Sequence, residues 1–252
     1  MRLLPAVPLL VALAGPWFVP DEVVRGQAFS DAGLLGTDFI GRDTWHQVLL
    51  GGRSLVLVAL LATAAAYLLG VPWGVAAGMS RRRGLDELLM RPLDLLLAVP
   101  SLLLLILLAT VVPAGAAGLA PIVMLINVPD VARIARAAAL EIAARPALEA
   151  MRLQGESRVR MAVGYVGRSM AATLAADLGT RLTGALYLVA AASFLGIGVP
   201  PDAADWAVMV DRNRAGLFLQ PWAVVVPALL IVSLSVGLNL AFDRVTGREG
   251  RT

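Results

Sequence analysis

Residues 88–112 read LLMRPLDLLLAVPSLLLLILLATVV, a stretch in which only Arg91 and Asp94 carry charge. Apolar runs of roughly 18 or more residues span a bilayer as helices, because a helix satisfies its backbone polar groups within its own segment. About six such runs recur, near residues 3–19, 55–79, 90–112, 117–136, 171–197 and 221–242. The pattern predicts an all-α, polytopic transmembrane helical bundle forming a single domain over 1–252. A polar outer segment at 20–54 and a polar inner segment at 137–170 join the spans. The first run is short and contains Pro5, Pro8 and Pro16. It reads as a retained span rather than a signal peptide, because its n-region holds only Arg2 and no small-x-small cleavage site follows.

Composition agrees with the pattern. The chain is 59% hydrophobic and 15% charged, where soluble domains sit near 45–50% apolar and about 25% charged. All 21 basic residues are arginine. With no lysine the chain contains no P-loop, which needs Gly-Lys-Ser/Thr to hold nucleotide phosphates. ATP and its magnesium, if they drive this protein, belong to another chain. There is no cysteine and one histidine, His46, which excludes disulfides, thiolate ligands and a multi-histidine metal site. No HExxH, paired intramembrane aspartate or Ser/His combination speaks for an intramembrane enzyme, so no catalytic residue, resident cofactor or metal is expected, nor a nucleic-acid partner.

Orientation follows from arginine. With the N-terminus inside, fifteen arginines fall on inner segments and five on outer ones. The positive-inside rule then places both termini in the cytoplasm. Trp17, Trp73, Trp206 and Trp222 stand near span ends, as interfacial anchors do, and His46 beside Trp45 reads as another interfacial residue.

The inner segment contains PALEAMRLQGESRVRMAV at 146–163. Pro146 suits a first helical position. Glu149 with Arg152 at i,i+3 and Glu156 with Arg160 at i,i+4 suit a helix surface, and Gly155 breaks it. Two short amphipathic helices are predicted, either solvated on the membrane surface or docking a cytoplasmic partner. Within the spans, Asp177 and Arg181 at i,i+4 form the one candidate intramembrane ion pair, mutually neutralising or facing a polar pathway. Pro100 with Ser101 kinks the third span, by packing alone or to shape that pathway. Asp94 is expected to pair with Arg91, and Asp38, Arg42 and Asp43 to form a charge-paired outer cap.

Three stretches resemble the permease subunit of binding-protein-dependent ABC importers, in particular the "C" class of dipeptide, oligopeptide and nickel permeases. Leu35-Gly36-Thr37-Asp38-Phe39-Ile40-Gly41-Arg42-Asp43 is similar to the LGTDxxGRD signature before the second span. Arg91-Pro92-Leu93-Asp94 with Leu97-Ala98-Val99-Pro100-Ser101-Leu102 is similar to R-x-x-D-x-x-L-A-x-P-S-L. Ser193-Phe194-Leu195-Gly196-Ile197-Gly198-Val199-Pro200-Pro201, followed by Trp206, is similar to SFLGLGV…P…W. In the inner segment Glu149, Ala150 and Gly155 match the coupling motif E-A-A-x-x-x-G; Met151 replaces the second alanine, and Val166, Gly167 and Arg168 stand where I-x-L-P would fall. Either the partner ATPase differs correspondingly or the coupling helix packs differently.

The resemblance implies a type I importer permease fold in the bacterial inner membrane. It also implies a second homologous permease chain, two ATP-binding subunits and an extracytoplasmic substrate-binding protein. Glu149, Ala150, Arg152 and Gly155 would meet the ATPase, and Pro100, Ser101, Asp177 and Arg181 are the pathway candidates. The solute would be a peptide, nickel or a metal chelate. The rival reading is a self-contained secondary transporter or channel.

Overall fold

The computed structural model describes residues 6–19, 25–80, 83–113, 115–200 and 202–249. Arg2, Pro5, Arg81, Arg82, Pro201 and Arg251 lie outside the described residues. The described chain is helical: α1 (Ala6–Ala14, continued by a 3-10 turn at Gly15–Trp17), α2 (Thr44–Gly78), α3 (Arg83–Leu97), α4 (Ser101–Ala109) and α5 (Ala116–Ala143) form its first half. The second half is α6 (Pro146–Leu153), α7 (Arg158–Arg160), a π-helical stretch Met161–Val166, α8 (Gly167–Ser169), α9 (Ala171–Phe194), α10 (Trp206–Asn213) and α11 (Trp222–Glu249). Among the described residues there is no strand, only two isolated bridges.

Six predicted spans become a more uneven set. Three helices are long and apolar enough to cross a membrane: Thr44–Gly78, Ala116–Ala143 and Trp222–Phe242. The predicted span at 90–112 is broken. Gly84–Leu97 and Ser101–Ala109 qualify only together and meet at 88°. The break has a local cause: Pro100 supplies no amide hydrogen and disfavours a helical Val99, so α3 stops at Leu97. The first run is a short helix, Ala6–Trp17. The fifth is one continuous helix of 24 residues, but Asp177, Arg181 and three threonines keep it below the apolarity of the others.

The boundary of the outer segment also moves. Helix α2 begins at Thr44 rather than near 55, because Asp43 caps it by accepting the Trp45 amide at 2.8 Å. Val48 and Leu49 then bury in its first turns. Helix α5 runs past 136 to Ala143.

Helices α2 and α5 run side by side as the central pair. Gly70, Gly74 and Gly78 recur every fourth residue on α2 and lie against Val131, Ala132 and Ala135, and Arg136 and Ala139 of α5. Small residues at this spacing let helix backbones approach closely, which in lipid substitutes for the hydrophobic drive. Around this pair the main core gathers Leu55, Leu105, Leu119, Val123, Val189 and Trp206. Folded chain covers one end of the bundle, here the cap end (residues 25–43 with α10). The other, the arm end, carries residues 144–170.

Candidate functional site

At the cap end, the signature Gly36–Asp43 builds a compact loop. Asp38, 1% exposed, accepts the amides of Ile40 (3.0 Å) and Arg42 (2.8 Å) and the Arg42 Nε (2.7 Å). Arg42 in turn donates to the Asp202 carbonyl at 2.6 Å and stands 5.8 Å over the Phe39 ring. Buried Thr37 donates to the Gln27 carbonyl at 2.6 Å. Gly36 and Gly41 take positive φ, 69° and 80°, which only glycine adopts without strain; at Gly41 a Cβ would meet the Gly26 carbonyl oxygen. Asn213 accepts the Phe39 amide at 2.9 Å, so the loop is tied to α10. Every charged group of the signature is used internally.

Asp205 is a second cap-end group, and the sequence reading missed it. It is 1% exposed, caps α10 by accepting the amides of Ala207 and Val208, and accepts the Ser54 hydroxyl at 2.9 Å. Burial pushes its carboxyl above the ordinary aspartate range, against the opposing hydrogen bonds. Its signal in the sequence was local: Asp immediately before Trp206 is a helix N-cap pattern.

Midway along the bundle, Asp177 and Arg181 pair as their spacing predicts, Arg181 Nε to Asp177 Oδ1 at 3.0 Å. They do not stand alone. Arg181 also reaches Asp130 of α5 at 2.6 Å, and the Tyr67 hydroxyl of α2 donates to Asp177 at 2.8 Å. One guanidinium thus serves two carboxylates, and three helices are stitched together. Asp130 was legible as an ionisable residue inside an apolar run, but its i,i+3 neighbour Arg133 pairs with Asp94 and its actual partner is the distant Arg181; Tyr67 gave no signal. Asp94 pairs with Arg133 of α5 at 2.7 Å, and Arg91 with Glu87 at 3.3 Å. The expected Asp94–Arg91 pair is therefore replaced. Arg133 and Asp94 meet because α3 packs antiparallel to α5, where Arg136 and Asp86 form a second bridge at 2.6 Å.

Pro100 and Ser101 are exposed at the α3–α4 elbow. No hydrogen bond or ion pair among the described residues joins them to Asp177 and Arg181. The carbonyls of Leu97–Val99 and the amides of Ser101–Leu103 have no hydrogen-bond partner among the described residues. Beyond the elbow, a cavity of about 300 Å³ lies between α4, the start of α5 and the Gly196–Gly198 turn of the third matching stretch.

The arm end holds the remaining candidates. Leu148, Met161, Val166 and Met170 are buried with Ile142, Ala139 and Val75. This small core fixes α6 against the base of α5. Glu149 and Ala150 point outward, and Arg152 meets Glu149 at 3.2 Å. Gly155 ends α6: its amide donates to the Arg152 carbonyl and that of Glu156 to the Met151 carbonyl, with φ 79° at Gly155. That pair of bonds is a Schellman motif, which favours glycine at this position. Met151, the departure from the coupling motif, packs against the arm core rather than facing out. Among the described residues no group of three His, Asp or Glu gathers as a metal site.

Residues 70–249 match the family described as binding-protein-dependent transport system inner membrane component. The di/tripeptide transport system permease protein DppC of Pseudomonas aeruginosa is 29% identical over 92% of this chain and 80% of its own. The oligopeptide transport system permease protein OppC of Bacillus subtilis is 30% identical over 82% of this chain and 68% of its own. A structure of the methionine ABC transporter MetNI in an inward-facing conformation superposes with a TM-score of 0.64 at 17% identity, covering 79% of this chain and 94% of that one. The chain belongs to this family: it is a multi-pass inner-membrane permease with the importer permease fold.

Proposed function

We propose that this permease is one of two homologous chains that together form the pathway of a peptide importer. Its arm end faces the cytoplasm, as do both termini, with two ATP-binding subunits below and a substrate-binding protein at the cap end. The observation that carries this is the arm itself. A small core of its own fixes α6 against the base of α5, with Glu149 and Ala150 facing outward. Such a core has no use in a loop that merely connects two spans. ATP, with magnesium, binds and is hydrolysed on the partner subunits; closure of the two draws the arms together and rocks the spans between inward- and outward-facing states.

The elbow at Pro100 and Ser101 supports a pathway role. Unsatisfied backbone groups are tolerated at membrane depth only where they are buried in protein or line water, so this break faces the partner chain or the solute rather than lipid. The Asp130–Arg181–Asp177 network supports the same placement, since intramembrane charges face the bundle interior or an aqueous cavity. Peptides are favoured over nickel or metal chelates because the relatives matched over most of this chain carry peptide-permease names.

Affinity purification from native membranes in mild detergent tests the assembly. Mass spectrometry is expected to find a second permease chain and P-loop ATPases, and Glu149→Arg to lose the ATPases while keeping the second permease. Recovery of the chain alone, or as a homo-oligomer without ATPase, overturns the reading in favour of a self-contained transporter.

A further inference from the structure

We propose that the π-helical turn Met161–Val166 is a register switch. The segment ahead of it has a second state, a continuous α-helix that carries Val159 and Val163 to the arm core in place of Met161. As a joint in the transport cycle, the switch rests on the importer reading above.

The turn interrupts an otherwise α-helical course. Before it, the Met161 amide donates to the Ser157 carbonyl at 3.0 Å; after it, the Met170 amide donates to the Val166 carbonyl at 3.0 Å, both four residues back. Between them the Gly167 amide donates to the Ala162 carbonyl, five residues back. A single π turn acts as one residue inserted into an α-helix. It rotates everything ahead of it by about 100°, the angle of one residue. In a regular helix Met161 and Val166 would stand about 140° apart. The turn brings them to one side, where both are buried with Met170.

The regular helix suits the sequence as well. Counted back from Val166, Val163, Ala162 and Val159 lie three, four and seven residues away, the spacing of one apolar face. In the observed register that face is turned out: Val159 and Val163 are 74% and 72% exposed. Arg158, three residues before Met161, falls on the inward line instead and is itself exposed. In the continuous helix Val159 replaces Arg158 on that line, Val163 joins it and Met161 leaves it. Each register buries one apolar set and strands another, as a segment with two packings does.

Little holds the segment in one register. The side-chain ties of residues 157–163, among the described residues, are local: the Ser157 hydroxyl accepts the Arg160 amide at 3.3 Å, and Arg160 meets Glu156 at 3.1 Å. Open space surrounds the position of a Cβ at Gly164, and at Gly167 only the Ala162 carbonyl oxygen lies near it, at 3.4 Å. No side chain therefore wedges the turn, and moving the Gly167 amide from Ala162 to Val163 restores four-residue bonding. Because α6 is joined to this leg through the Gly155 turn, rotation of the leg re-aims α6 against α9. Closure of the ATP-binding subunits, drawing on the arm, selects the register.

The chain has no cysteine, so Met161→Cys and Val163→Cys each place a single thiol on it. The complex carrying either variant, purified into nanodiscs, is treated with a maleimide at rest and after trapping with ATP and vanadate. The labelled fraction is read on the tagged chain. On trapping, position 161 is expected to label severalfold faster and position 163 severalfold slower. Anything other than opposite changes at the two positions overturns the switch. Deleting Ala162 removes the extra residue, keeps Met161 four residues before Val166 and leaves a single register. In that background Met161→Cys is expected to label slowly at rest and after trapping alike. An arm core that merely opens would expose position 161 in both backgrounds, and that result also overturns the switch. If the purified wild-type complex contains no P-loop ATPase, the importer reading fails and the joint with it; ATPase present without the reciprocal labelling sinks the switch alone.

Discussion

A single buried carboxylate shows how far one residue can set a pH dependence here. Asp205 caps α10, receives the Ser54 hydroxyl and lies outside the membrane-crossing helices. Burial raises its folded-state pKa above the unfolded value, so the folded chain holds the proton more tightly than the unfolded one. The slope of stability with pH is therefore negative across this window. The contribution is most favourable below the ordinary aspartate range, near pH 4, and declines as pH rises from there through the raised value. Asparagine keeps an acceptor oxygen for the helix amides and turns its NH2 to the Ser54 hydroxyl, which then accepts, and it carries no charge. In thermal melts of the purified complex, Asp205→Asn is expected to melt higher than wild type at neutral pH and level with it in acid. Asp205→Ala loses the cap, worth about 1 kcal/mol, but also sheds the buried charge, so its loss relative to wild type should be larger in acid than at neutral pH. An Asn variant that shifts the melt equally at both pH values would show that the charge is not the cause.

At the scale of helices, the parts that were legible are those whose physics is local. Length and apolarity announced α2, α5 and α11, the Asp177–Arg181 pair followed from helical spacing, and Gly155 announced the end of α6. What stayed hidden depends on partners distant in sequence. The Asp94–Arg133 bridge needs α3 against α5, and nothing in the chain near Asp94 favours Arg133 over Arg91. The elbow was read as a kink in one span, since a proline says that a helix is interrupted but not by how much; the observed 88° is set by where α4 finds its core at Leu105. The glycine stripe on α2 went unread as well, because glycine in an apolar run carries no partner's name. Its role is directly testable. A Cβ at Gly74 would run into the Ala132 carbonyl oxygen of α5, a backbone atom that cannot rotate aside. Gly74→Val is expected to cost about 3 kcal/mol, the upper end of overpacking penalties, and to show as loss of the monodisperse peak in fluorescence-detected gel filtration. Gly184→Ala on α9 is the control, because open space surrounds that position; there helix propensity should leave the protein unchanged or up to about 1 kcal/mol more stable.

Across the whole molecule, the described structure joins a rigid pair, α2 with α5, to elements that reach the two ends: the cap loop, and the arm that leads into α9. Helix α9 is the element both ends share, since the arm feeds its start and the Gly196–Gly198 turn follows its end. A movement of the arm is transmitted to the cavity only if α9 moves as a unit against α2 and α5. The polar contact that ties α9 to that pair is the Tyr67–Asp177–Arg181–Asp130 network, which contains one cation for two anions. Its energetics make an asymmetric prediction. Removing only the arginine leaves two carboxylates uncompensated; with the Asp177 and Asp130 side chains 9% and 35% exposed, the cost falls below the about 3–5 kcal/mol of a fully buried pair. Removing all three charges leaves hydrogen-bonding amides that satisfy one another and is nearly neutral by the same reasoning. Arg181→Gln should therefore destabilise the purified complex far more than the triple variant Asp130→Asn, Asp177→Asn, Arg181→Gln. In thermal melts, the triple variant should recover most of what the single one loses. If the triple variant is instead the less stable of the two, the charges are not coupled to each other, and α9 is held to the central pair by its apolar face.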